Sequence, residues 1–341
     1  MPKTADENRL DKTIDKLGER GVIEEIRKRL QLLPSSPVPF GDDIAAVPIE
    51  GELVAVLKTD MLVNKTDVPT GMNLRQAARK AVVMNVSDFA AKGVQPLAAL
   101  VSLGLPRTLE KNAIKEIADG LDAGSREYGA YVVGGDTGEA SDVVIAVSLY
   151  GTALKSRLML RTGAKPNDVV GVTGPFGKSA AGLQMITEDY RVPDRLRKVL
   201  LNSVLMPKAR LRDGLALAAS GTVTSSIDSS DGLAWSLHEL SRMSGVGFVI
   251  DDVPIAEEAE QFAQYSRADV LELVLHGGEE YELVVTVKPD FWRHAQSAVE
   301  AVGGTLSRIG KVTREKRVVL QQDGKRRAIE ARGWEHFKST A

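Results

Sequence analysis

The segment AVVMNVSDFAAKG (residues 81–93) places one acidic side chain, Asp88, inside an otherwise apolar run. The surrounding pattern predicts a helix from an Asn73 cap to Gly93, with Asp88 near its C-terminal end. An unpaired buried carboxylate is strongly destabilising unless it takes up a proton or finds a positive partner. The sequence therefore predicts a core helix whose acidic residue has a cationic partner elsewhere.

Strands and helices are predicted to alternate on both sides of this core helix. Residues 52–60, 96–106 and 142–153 are typical of strands, and residues 108–127 of a helix. Residues 129–136 predict a strand that breaks into a glycine turn at Asp136. This pattern indicates an N-terminal α/β (α+β) domain over residues 1–154.

The second half of the chain predicts another α/β domain, over residues 155–341. It contains a strand, a glycine-rich turn and a helix that starts near Ser179, followed by helices around 195–219. Residues 225–245 predict a strand end that turns into a helix, and a closing hairpin is expected at Asp323-Gly324. With 341 residues and 43% hydrophobic content, the chain is long enough for two cores.

Composition excludes several classes of function. The 44 basic and 46 acidic residues leave a net charge of −2, so we expect neither nucleic acid nor a membrane as a partner. No apolar run approaches about 18 residues, as a membrane span requires. The absence of cysteine removes disulfides, thiolate metal sites and cysteine nucleophiles, and fits a cytoplasmic location.

Aspartates recur beside glycine or serine at the predicted ends of apolar segments. Each one alone is typical of a turn or a helix cap. Together they offer the hard oxygen ligands that Mg²⁺ prefers, whereas only four histidines argue against zinc. The glycine-rich turn in VTGPFGKSA (172–180) is not a Walker A loop, because position 172 is valine, but it is expected to leave exposed amides for a phosphate.

Seven motifs in order give the chain a family resemblance. They are GDD, TDML, NVSDFAAKG, GGDT, RTGAKPNDVVGVTG, SSIDSSDGL and GGEEYEL, spread over about residues 16–338. In this order the chain resembles thiamine-monophosphate kinases, of the aminoimidazole-ribonucleotide synthetase superfamily. The resemblance implies a two-domain fold, a homodimer formed by pairing of N-terminal sheets, and direct transfer of the γ-phosphoryl group from ATP to thiamine monophosphate.

The resemblance also implies roles for individual residues, with several Mg²⁺ ions and no protein nucleophile or base. The implied metal ligands are Asp43, Thr59, Asp60, Asp88, Asp136, Asp228 and Asp231. The implied ATP contacts are Gly135, Asp136, Arg161 and Ser230. The implied substrate contacts are Asp67, Glu279 and Trp334, and a tryptophan face suits a cationic thiazolium ring.

The chain departs from the family pattern at three positions. Asp67 stands where many bacterial members have a histidine, and in this the chain resembles archaeal members. Glu280 replaces a usual aspartate. Lys58 replaces a usual serine, so that only its carbonyl is expected to reach a metal. The alternatives left open are another ATP-using member of the superfamily, against which the missing cysteine and the segment LKTDML argue, and a non-catalytic nucleotide-binding homologue.

Overall fold

The computed structural model describes residues 13–337 and contains two mixed β-sheets with flanking helices. The first sheet has the strand order β1-β2-β5-β3-β4, in which only the β3–β4 pair is parallel. Its strands are β1 (Ala45–Glu50), β2 (Leu53–Val63), β3 (Pro96–Leu105), β4 (Tyr131–Glu139) and β5 (Val144–Leu154).

The second sheet has seven strands in the order β12-β11-β8-β10-β6-β9-β7. These are β6 (Val169–Val172), β7 (Val223–Ser229), β8 (Gly247–Ile250), β9 (Glu282–Val287), β10 (Ser307–Thr313), β11 (Val318–Gln322) and β12 (Lys325–Ala328). The hairpin of β11 and β12 turns at Asp323-Gly324, where both residues have positive φ, which confirms that prediction.

Helices cover both sheets. They are α1 (Ile14–Arg27), α2 (Asn64–Asp67), α3 (Leu74–Lys92), α4 (Lys111–Glu127), α5 (Lys178–Thr187), α6 (Asp194–Leu205), α7 (Leu211–Ser220), α8 (Leu233–Ser244), α9 (Glu257–Ser266), α10 (Val270–His276) and α11 (Trp292–Glu300). Helix α1 is broken at Gly18, where φ is 64°. Within residues 13–337, no helix combines the length and apolarity needed to cross a membrane.

Helix α3 is the predicted core helix, and it lies between the two sheets. Its first turn has the capping box predicted by Asn73, and Gly93 ends it in the left-handed conformation at φ 67°. It packs against β2 and β5 on one side and against β7, β9 and α7 on the other. Residues 77–83 and 85–92 are therefore buried, and α3 joins the two sheets in one apolar core.

Three local predictions are wrong. Strand β2 continues past Asp60 to Val63, and β4 runs straight through Asp136 instead of breaking into a turn. Gly135 permits this course, because a Cβ there would lie 1.9 Å from the carbonyl oxygen of Val101 on β3. Third, the amides of the glycine-rich turn are not exposed: Gly177 and Ser179 donate to Glu280 Oε1 at 2.7 and 3.0 Å.

Candidate active site

Three buried carboxylates meet where α3 lies between the sheets. Asp43 precedes β1, Asp88 is on α3, and Asp228 is near the end of β7, so both halves of the chain contribute. One oxygen from each lies within 4.8 Å of one from each of the others. Such a set of hard oxygen donors fits Mg²⁺, and like charges this close need a cation or a proton.

Lys58 is the protein partner of Asp88. Its Nζ lies 2.9 Å from Asp88 Oδ2 and 3.0 Å from Asp60 Oδ1. Strand alternation in β2 turns positions 58 and 60 toward α3, which brings both side chains to the cluster. The side chain of Lys58 therefore points into this site, where its ammonium lies among the carboxylates.

A second positive group holds Asp43 and its neighbour Asp42. The fully buried Lys92 Nζ lies 2.8 Å from Asp42 Oδ1 and 2.7 Å from Asp43 Oδ2, and donates to the Ser226 carbonyl at 2.7 Å. The Arg161 guanidinium also pairs with Asp43. Burial alone would raise the pKa of Asp43, but Arg161 and Lys92 lower it to about 2. Asp43 is thus held as a carboxylate.

Three neighbouring carboxyl groups, those of Asp88, Asp228 and Asp231, have raised pKa values. Burial, and then the charge of Asp43, raise the pKa of Asp228 to about 6, although Ser87 Oγ donates to its Oδ2 at 2.6 Å. Burial and Asp228 raise the pKa of Asp231 to about 7. Burial also raises the pKa of Asp88, with Asp228, Asp60 and Asp43 acting in the same direction against Lys58. The protein's own cations do not balance these carboxylates, which favours binding of a further cation.

Two predicted metal ligands lie on the other face of the first sheet. Thr59 alternates with Asp60, and its hydroxyl accepts a hydrogen bond from Ser148 Oγ at 2.9 Å. Asp136 is paired in register with Ser102, and both lie in one cross-strand row with Met61. The Asp136 side chain is therefore on the same face of the sheet as Met61 and Thr59. The structure therefore does not bring the side chains of Thr59 and Asp136 to the cluster within one chain.

The three predicted substrate contacts lie near one another, beside the cluster. Lys80 Nζ donates to the Asp67 carbonyl at 2.9 Å and pairs with Glu279. The Glu279 amide donates to the Ser230 carbonyl at 2.6 Å, and the Trp334 amide donates to the Asp231 carbonyl at 3.1 Å. The half-exposed Trp334 thus lies close to Asp231.

The lysines are the residues that sequence reasoning missed. Asp88 and Lys92 are four residues apart on α3 and share a face of the helix, and Lys80 lies about two turns before Asp88, roughly 80° around the axis. Charged residues at this spacing in an otherwise buried helix were the available signal. The sequence marks Lys58 only as a departure from the family pattern. The direction of its side chain depends on the strand assignment.

The fold and the acidic cluster between its sheets define a class of proteins. Residues 41–153 match the family model "AIR synthase related protein, N-terminal domain", and residues 165–323 match the corresponding C-terminal domain. The chain is 34% identical to the thiamine-monophosphate kinase of Nitrosopumilus maritimus over 95% of this chain and 100% of the relative. It is 36% identical to that of Pyrococcus horikoshii, over 88% and 91%.

A solved structure agrees with these sequence matches. The structure titled "AaThiL complexed with AMPPCP and TMP" superimposes with a TM-score of 0.83 at 29% identity, over 95% of this chain and 98% of the other. The chain therefore belongs to the thiamine-monophosphate kinase family within the AIR synthase related proteins. The predicted resemblance and the two-domain fold class are confirmed.

Proposed function

We propose that this chain transfers the γ-phosphoryl group of ATP to thiamine monophosphate, which yields thiamine diphosphate and ADP. A phosphate oxygen of the acceptor forms the new bond to the γ-phosphorus in line with the departing β–γ bridging oxygen, which stays on ADP. The buried cluster of Asp43, Asp88 and Asp228 carries the proposal, because it offers the ligands for Mg²⁺. Two anionic substrates can approach each other only where such positive charge is concentrated. The kinase names of its relatives support the choice of substrates.

The residues of the cluster fit Mg²⁺. Asp43, Asp88 and Asp228 would hold it in the centre, with Asp60 and Asp231 beside them. When bound, Mg²⁺ would neutralise charge on the donor and acceptor phosphates. Lys92 and Arg161 keep Asp43 ionised and in place, and Ser87 orients Asp228. No residue need act as a base, because the attacking phosphate oxygen is already anionic.

The remaining residues are proposed to position the substrates. Arg161 and Ser230 are assigned to ATP on the side of the cluster. Gly135 and Asp136 on β4 are assigned to ATP by their motif alone, because the Asp136 side chain is on the other face of the sheet. Glu279, Asp67 and Trp334 are assigned to thiamine monophosphate, whose cationic ring suits the half-exposed Trp334 face. Lys80 links the Asp67 and Glu279 segments, and so supports this side of the site from beneath.

The direct test is an assay with ATP, Mg²⁺ and thiamine monophosphate. We expect thiamine diphosphate and ADP in equal amounts, and no product when EDTA replaces Mg²⁺ or when free thiamine replaces the monophosphate. Chromatography of the thiamine species with a coupled ADP assay measures both products. A chain that binds ATP but forms no product would favour the non-catalytic alternative, and a product made only from free thiamine would overturn the substrate assignment.

The raised pKa values predict that Mg²⁺ stabilises the protein more strongly at higher pH. Asp228 and Asp231 have folded pKa values of about 6 and 7, above the ordinary 3.8, so between about pH 4 and 7 the folded state binds more protons than the unfolded state. The free energy of unfolding contributed by these groups is full below about pH 4 and is lost as pH rises through 6 and 7. The pKa of Asp43 is lowered to about 2, so its contribution to the free energy of unfolding changes with pH only below about pH 4.

Thermal unfolding at about pH 5.5 and about pH 8, with EDTA or Mg²⁺, measures this effect. In EDTA we expect a lower melting temperature at the higher pH. The increase produced by Mg²⁺ should be larger at pH 8, because protons then compete less for the carboxylates. An Mg²⁺ effect that is equal at both pH values, or larger at the lower one, would contradict the prediction.

We also propose a homodimer formed through the outer face of the first sheet. Leu57, Met61, Leu100, Tyr131 and Tyr150 are exposed there, an apolar surface that a second copy would cover. Thr59 and Asp136 lie on the same face. Light scattering on the purified protein should give twice the chain mass of 36.7 kDa, and a monomer would contradict this. The cytoplasmic location stays a prediction from the cysteine-free sequence.

A further inference from the structure

Lys58 occupies a position inside the acidic cluster, not at its rim. Its Nζ lies 3.0 Å from Asp60 Oδ1 and 2.9 Å from Asp88 Oδ2, and its side chain is only 19% exposed. Asp88 is at the same time one of the three carboxylates that lie within 4.8 Å of one another. The ammonium therefore bridges two carboxylates in the way that a bound metal ion bridges its ligands.

The cations of the cluster are divided among different carboxylates. Asp43 is paired with Lys92 and Arg161, on the side of the cluster toward Asp42. Asp60 and Asp88 are instead joined by Lys58.

We propose that Lys58 is a resident cation that takes the place of one divalent ion between Asp60 and Asp88. Its ammonium supplies one positive charge and hydrogen-bond donors to both carboxylates, where a divalent ion would supply two charges. This chain therefore binds one divalent ion fewer than it would with a small neutral residue at position 58. The inference rests on the proposed Mg²⁺ site, and concerns how many ions that site holds.

The test counts bound ions without measuring activity. Wild-type protein and Lys58→Ser are dialysed to equilibrium with Mn²⁺ and the non-hydrolysable analogue AMPPCP, and bound Mn²⁺ is counted by its electron paramagnetic resonance signal. We expect Lys58→Ser to bind one more Mn²⁺ per chain than the wild type. Lys58→Gln, which is neutral and similar in length, should also gain one ion, and provides the same test if the serine variant does not fold.

Two controls separate charge from the substitution itself. Lys58→Arg keeps the positive charge and should bind the wild-type number of ions. Lys155→Ser removes an exposed lysine outside the cluster, and should also leave the number unchanged. Melting in EDTA gives a second readout: Lys58→Ser should melt below the wild type, and Mn²⁺ should raise its melting temperature more than that of the wild type.

The outcomes distinguish this inference from the proposed function. Equal ion counts in folded wild type and folded neutral variants would overturn the role of Lys58, even if the kinase assay succeeds, because the ammonium would then not occupy an ion's place. A wild type that binds no Mn²⁺ would contradict the proposed metal site instead. In that case a single ion in Lys58→Ser and none in the wild type would still support the substitution of ammonium for metal.

Discussion

Asp88→Asn is expected to lower kcat about 10³-fold or more while the protein stays folded. Asp88 is the carboxylate that lies between the others: it is near Asp43 and Asp228, and it shares Lys58 with Asp60. An amide keeps the shape but removes the negative charge that Mg²⁺ requires. The loss should appear in steady-state kinetics at saturating ATP, Mg²⁺ and thiamine monophosphate.

The stability of this variant should not fall in parallel with its activity. Burial and the neighbouring carboxylates raise the pKa of Asp88, so its ionised form is disfavoured in the folded state when no metal is present. A neutral amide relieves that repulsion, and denaturant unfolding in EDTA should show a free energy of unfolding at least equal to that of the wild type. Unfolding of the variant would mean that Asp88 holds the core together.

Asp119→Asn is the matched control for Asp88→Asn. It makes the same chemical change on the exposed surface of α4, away from the cluster. Its kcat should equal that of the wild type. If Asp88→Asn retained more than about a tenth of wild-type kcat, the loss would be smaller than that caused by removing a group that acts on transition-state charge. The central role proposed for this carboxylate would then be wrong.

The elements that local sequence decides were predicted well. Asn73 and Gly93 bracket α3 because one caps the free amides at its start and the other adopts the left-handed conformation at its end. Both signals are read from residues a few positions apart. The same holds for the hairpin at Asp323-Gly324, where two adjacent residues determine the turn.

Elements that depend on distant neighbours were predicted less well. The glycines before Asp136 suggest a turn, but they let β4 approach β3 closely, a role visible only once the two strands are paired. The amides of the turn at Gly177 bind the carboxylate of Glu280, about a hundred residues further on. In both cases the residue type is compatible with two local structures, and tertiary contacts determine which of them forms.

The sequence marks Arg161 and most carboxylates of the candidate site, but not the burial of its lysines. Short carboxylates beside glycine or serine stand out in apolar segments, whereas Lys58, Lys80 and Lys92 resemble ordinary surface lysines. Their burial follows from the position of α3 between two sheets, which no local pattern reports. The cationic partner predicted for Asp88 is thus present in the protein itself, as Lys58.

Lys92→Met is expected to lower the free energy of unfolding by about 3–5 kcal/mol, the usual effect of removing one partner from a buried ion pair. The Lys92 side chain is fully buried, with Asp42 and Asp43, also fully buried, at 2.8 and 2.7 Å. Methionine fills a similar volume but leaves both carboxylates short of a counter-charge. Urea denaturation in EDTA measures the loss, and Lys115→Met, on the exposed face of α4, should change stability by less than about 0.5 kcal/mol.

A double-mutant cycle shows whether that loss comes from the ion pair. Asp42→Asn should itself destabilise the protein, because Asp42 also accepts a hydrogen bond from the Arg161 amide at 2.9 Å. If the charges of Lys92 and Asp42 depend on each other, the double variant should lose less stability than the two single variants added together. Strict additivity would instead attribute the role of Lys92 to its pair with Asp43, to packing and to its bond with the Ser226 carbonyl. Since Ser226 is on β7, that bond would also fix the position of β7 against α3.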